Sequence, residues 1–153
     1  MVETEQEILE MARKVRDMGD HNHMFAFFPE RGPLMEDWEP VPRYQWRRVQ
    51  LARFSLDYAG GHVSRMWFDA SGRLTDFGLD QEKLEALVRS GKPFQTSGCR
   101  GHDNEVSACN RPYGDSMPGD IRSFPFALDA RDVALVQRQM GGEDVHTYAS
   151  EEQ

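Results

Sequence analysis

Two cysteines, Cys99 and Cys109, and the histidine between them, His102, are the residues of this sequence best suited to inorganic chemistry. They lie in the loop Thr96-Ser97-Gly98-Cys99-Arg100-Gly101-His102, which runs on to Ala108-Cys109-Asn110-Arg111-Pro112-Tyr113-Gly114. Thiolates beside small residues in irregular backbone are a common presentation of zinc or iron–sulfur ligands, because a free backbone lets both sulfurs reach one centre. His102, three residues after Cys99, is a candidate third ligand. His21 or His23 supplies a fourth only where the fold brings one near. Two thiolates are not four ligands. The plainer reading stays open beside this one: ordinary loop thiols, or a facing reducible pair, since known zinc signatures need a second pair at matching spacing.

The remaining polar candidates are plainer. Arg43, Arg47, Arg48 and Arg53 are spread around one segment, and Arg43 and Arg47 are a helical turn apart, close enough to hold one carboxylate or phosphate. The competing expectation is that they pair with the plentiful surface acids, because such ion pairs are common. His21 and His23 read as turn and edge residues before they read as a catalytic pair. No Ser-His-Asp order, phosphate-cradling loop or HExxH pattern stands out.

The elements that must position the cysteines follow from periodicity and caps. Thr4 and Glu7 have capping-box spacing, and Ile8, Met11, Ala12, Val15 and Met18 then share one helical arc that Gly19 ends. His23-Met24-Phe25-Ala26-Phe27-Phe28 is too short for a helix and reads as a strand buried on both faces. Residues 29–42 hold Pro29, Pro33, Pro40 and Pro42, a loop long enough to carry function. A second helix is expected over residues 43–59, closed by Gly60-Gly61. Val49, Ala52, Leu56 and Ala59 form one apolar face and Tyr44, Leu51, Phe54 and Tyr58 another, as in a helix between two layers. Residues 65–77 read as a strand pair around a Gly-containing turn. Asp80 caps a short helix bearing Leu84, Leu87 and Val88 and ended by Gly91. Residues 92–128 show no period. A last amphipathic helix with Val133, Val136 and Met140 aligned precedes a polar tail.

The 153 residues fit one domain with a modest core, without disulfide staples. With 29% charged residues, the chain is polar enough to depend on a partner or missing domain to complete that core. A net charge of -8 disfavours nucleic acid, which is bound through a basic face. The opening Met-Val-Glu-Thr-Glu-Gln-Glu is acidic where a secretory signal is basic and then apolar, and no apolar run is long enough to span a membrane. A cytoplasmic location is therefore expected, where two cysteines read as ligands or free thiols before they read as a disulfide.

Three segments together resemble one family. Met24-Phe25-Ala26-Phe27-Phe28-Pro29-Glu30-Arg31-Gly32 is similar to its FFPE-x-G strand and loop. Tyr44-Gln45-Trp46-Arg47-Arg48-Val49-Gln50-Leu51-Ala52-Arg53-Phe54 is similar to its YRRVQLARY helix. The cysteine loop, followed by Ile121-Arg122-Ser123-Phe124-Pro125-Phe126, is similar to its TSGCPG, ACNRP and IRNFPF tail. The family is that of the biotin-synthase-related radical-SAM proteins, and the resemblance runs in one order from about residue 4 to 126.

It implies an α/β fold: a partial (β/α) barrel fragment with an irregular Cys-bearing C-terminal extension. The expected division is 4–91 for the radical-SAM-like region, 92–128 for the cysteine loop, and 129–153 for the last helix and tail. Complete members carry a Cys-x3-Cys-x2-Cys triplet that holds a [4Fe-4S] cluster and cleaves S-adenosylmethionine; this sequence has no such triplet. The implied role is a C-terminal component, inactive alone, in sulfur insertion or related C–H chemistry on a small-molecule or carrier-bound substrate, beside a separate triplet-bearing subunit. Cys99 and Cys109 carry over as ligands of an auxiliary iron–sulfur cluster. Arg100 stands where the family often has proline, and the extra residues that include His102 leave the ligand set open. A non-catalytic zinc or iron–sulfur module, or a degenerate remnant, is the alternative.

Overall fold

The computed structural model describes residues 3–20, 22–32, 34–96 and 119–147, together with the backbone of two short strands at 99–100 and 106–108. Helix α1 spans Glu5–Asp17. It starts where the Thr4 hydroxyl accepts from the Glu7 N–H at 3.2 Å while the Glu7 carboxylate accepts from the Thr4 N–H at 2.8 Å. That is the reciprocal cap expected of the sequence. Helix α2, Arg43–Tyr58, is followed by a 3-10 turn and the antiparallel pair β1 (Trp67–Phe68) and β2 (Leu74–Asp76). Asp80 caps α3, Gln81–Ser90, through the Lys83 N–H, and Gly91 ends it at φ 68. A left-handed residue there needs glycine, and a Cβ would also stand 2.7 Å from that of Leu128. A 3-10 turn at Lys92–Phe94 leads to β3 (Cys99–Arg100) and β4 (Val106–Ala108), also antiparallel, and α4 closes the order at Ala130–Met140.

Helix α2 is the centre of the molecule. Ala52 and Leu56 pack with Leu9, Met66 and Leu74 in one apolar cluster, while Leu51 packs with Val88, Phe94, Phe124 and Val136 in a second. The two-layer placement read from its two apolar faces is therefore present, although Tyr44 and Tyr58 at its ends are exposed.

Two expectations are corrected. Residues 23–28 form no strand among the described residues: Ala26 is buried, but Phe25 is 61% exposed. A strand exists only through ladder bonds to a neighbour, and none of the described residues bonds to the backbone of residues 24–28. The aperiodic stretch 92–128, in turn, is not simply structureless. It includes Phe94, Ile121 and Phe124 in the core, tied by Phe124 N–H to Phe94 C=O at 2.9 Å and Thr96 N–H to Phe124 C=O at 2.8 Å. The only parallel pairing among the described residues is this single Gln95–Phe124 bridge, and both two-stranded sheets are antiparallel. No helix among the described residues is long and apolar enough to cross a membrane.

Candidate functional site

The cysteine loop is described at its two strand segments. Cys99 lies in β3 and its backbone pairs with Ala108 of β4, with Arg100 opposite Val106. His102, Cys109 and His21 lie outside the described residues, and His23 is exposed. Among the described residues no group of three or more His, Cys, Asp or Glu side chains is arranged to hold a metal. The donor chemistry sets its own limit: with two cysteines in the whole chain, a four-thiolate cluster site needs ligands from elsewhere, whereas a mixed Cys and His set comes closer to closure.

The proline loop leads to a cleft of about 700 Å³. Pro29, Pro40 and Pro42 line it with Arg43, Asp120, Arg122 and His146. Pro33, the fourth proline of the loop, lies outside the described residues. Arg43 forms a fork on Asp120, Nε to Oδ1 at 2.8 Å and Nη2 to Oδ2 at 2.9 Å, and its Nη1 reaches Asp144. Arg122 meets the same carboxylate at 3.1 Å, donates to the Val41 carbonyl at 2.7 Å, and stacks its guanidinium 5.3 Å from the Phe28 ring. The loop is thereby held to the 120–122 segment by charge-assisted bonds at one end and a cation–π contact at the other.

Burial pushes the Asp120 carboxyl up, but the Arg43 hydrogen bonds and the charges of Arg122, Arg43 and His146 outweigh it and hold the group below the usual aspartate range. An unfolded aspartate titrates near about 3.9. With the folded value lower, the contribution is complete above that pH and disappears as pH falls through the folded value. Asp120→Asn is therefore expected to be less stable than the parent at neutral pH and to lose less on acidification. Urea midpoints across the acid limb check it; parallel curves would remove the assignment.

Among the α2 arginines, Arg43 finds buried Asp120 as well as exposed Asp144, and Arg48 finds a buried acid. Arg48 holds Glu5 with both side chains under cover, through Nε to Oε2 at 3.2 Å and through Nη2 to Oε1. Glu5 Oε2 also accepts from the Leu74 N–H at 2.7 Å, so one carboxylate joins α1, α2 and β2. Among the described residues, Arg47 does not share an anion with Arg43. It is 1% exposed and donates to Gln139 Oε1 at 2.8 Å, Gln50 Oε1 at 2.8 Å, the Arg122 carbonyl at 2.6 Å and the Ile121 carbonyl at 3.2 Å. Trp46 Nε1 and Gln50 Nε2 donate to the same Arg122 carbonyl at 2.7 and 3.0 Å. The expected surface ion pair is replaced here by buried bonds, because irregular backbone packed against a helix needs donors from that helix.

Sequence reasoning missed Asp120, His146, Gln139 and Thr147. The only signal was the run Ile121-Arg122-Ser123-Phe124, whose large apolar residues stand in a segment without period. Comparison of the chain with family models, with curated proteins and with solved structures finds no match.

Proposed function

We propose that the chain is the C-terminal component of a radical-SAM iron–sulfur protein, acting in sulfur insertion or related C–H chemistry together with a separate subunit that carries the Cys-x3-Cys-x2-Cys triplet. The observation that carries this reading is the β3–β4 pairing, which sets Cys99 opposite Ala108, the residue immediately before Cys109 in the sequence. The pairing brings the Cys99 backbone beside the chain position that precedes Cys109, the proximity that a shared inorganic centre requires. In this reading the parallel sheet of the (β/α) barrel is supplied by the other subunit.

Within this reading the chain contributes two thiolates and a cleft wall. Cys99 and Cys109, with His102 as a third donor, hold an auxiliary iron–sulfur cluster completed by the partner. Such a cluster supplies electron transfer or a sulfur source when bound. The proline loop and Arg122 line one side of the 700 Å³ cleft, which in this reading faces the small-molecule or carrier-bound substrate and the S-adenosylmethionine bound with the partner. The second reading, a zinc or iron–sulfur module without radical chemistry, is favoured by the cysteine count alone. Under it, Cys99, Cys109 and His102 bind metal in the isolated chain and no partner is needed.

Anaerobic co-purification with a triplet-bearing subunit, with iron, sulfide and zinc measured, tests the pair of readings. The expected result is a soluble complex with more iron and sulfide than the triplet alone accounts for, and loss of that excess in a Cys99→Ala, Cys109→Ala variant. Unchanged metal content in the variant would remove the ligand assignment. Stoichiometric zinc in the chain alone would favour the second reading.

A further inference from the structure

We propose that residues 24–28 accept a β-strand from a second polypeptide whose apolar core is flanked by lysine or arginine. Among the described residues, no backbone N–H or C=O of Met24, Phe25, Ala26, Phe27 or Phe28 makes a hydrogen bond. Five consecutive residues rich in β-forming aromatics thus leave their ladder groups unused, although Ala26 is already buried. Backbone N–H and C=O groups without a protein partner are free to take up the ladder bonds of an added strand. Side-chain recognition is available beside it. An apolar groove of about 280 Å³, lined by Ile8, Phe25, Phe27, Trp46 and Val49, adjoins the run, and Met24 and Ile8 continue it onto the uncovered face of α1 at Met11.

Charge decides the occupant. The rim of these grooves carries Glu3, Glu7 and Glu10, with Lys14 as the basic residue, on a chain of net charge -8. A second copy paired strand to strand about a two-fold axis would set these carboxylates against their own equivalents. A strand with basic flanks meets them with opposite charge, which favours encounter and register. The inference rests on reading the chain as one component of a larger assembly, and on nothing about the cysteines.

The full chain is titrated with three fluorescent peptides: alternating valine and threonine with two lysines at each end, the same with glutamates, and the lysine form N-methylated at alternate amides. Anisotropy is expected to show saturable binding of the first, at least about tenfold weaker binding of the second, and none of the third. Phe25→Ser, at an exposed position, is expected to weaken binding without loss of fold. Amide exchange at 24–28, fast in the free chain, is expected to slow in the complex. No binding of the lysine peptide, or equal binding of all three, overturns the proposal. Protection of 24–28 in a self-associated dimer overturns it in favour of a second copy. Metal content is scored separately, so peptide binding without metal removes the cysteine reading alone, and metal without peptide binding removes the strand alone.

Discussion

Replacing Arg47 with alanine is expected to destabilise the fold by about 3–5 kcal/mol, which for a domain of this size approaches half of its total stability. Three effects add. The side chain is wholly buried, so truncation leaves a cavity. The carbonyls of Ile121 and Arg122 and the amide oxygens of Gln50 and Gln139 lose a charged donor, although Trp46 and Gln50 still serve the Arg122 carbonyl and Thr147 the Ile121 carbonyl. The guanidinium also sits 5.4 Å from the Phe124 ring, a contact that couples α2 to the same segment. Arg47→Met keeps length and volume while removing the donors, and is expected to recover the cavity part only. Urea unfolding followed by tryptophan fluorescence separates the two; a loss below about 1 kcal/mol for Arg47→Ala would show that the network is not a stabilising centre.

The second large effect is expected at Glu5. Glu5→Ala leaves the buried Arg48 guanidinium without its carboxylate and the Leu74 N–H without its acceptor, at an expected cost of about 3–5 kcal/mol. Removing both charges is a different experiment. Glu5→Gln with Arg48→Met keeps an acceptor near Leu74 and takes away the stranded cation, so it is expected to lie well above the Glu5→Ala variant in stability. The double-mutant cycle measures the coupling directly. Additive single losses would mean that the pair is no more than incidental, and that Tyr44, whose ring lies 4.9 Å below the Arg48 guanidinium, holds the cation unaided.

Local rules made much of the helical part legible. Thr4 and Glu7, Asp80 and Gly91 mark their helix ends by short-range hydrogen bonding and backbone freedom, which need no tertiary context. The two faces of α2 predicted its place between two apolar clusters. What failed was whatever depends on a neighbour. The run at 24–28 has the composition of a buried strand, yet composition supplies no ladder. Phe94 and Phe124 reach the core from a segment where no period announces them, and Arg47 is buried because distant backbone needs its donors. The proposed metal ligands were legible only as residue types: Cys99 has a defined backbone partner, whereas His102 and Cys109 lie outside the described residues.

The bonds of Arg47 also govern when the molecule can assemble. Its partners at Ile121, Arg122, Gln139 and Thr147 stand 74, 75, 92 and 100 positions further along the chain. During synthesis α2 leaves the ribosome long before any of them, exposing a buried cation and one side of its apolar surface until the last segments emerge. Early-stalled nascent chains should therefore be bound by chaperones, and release should come only once the stretch through Thr147 is free to wrap back.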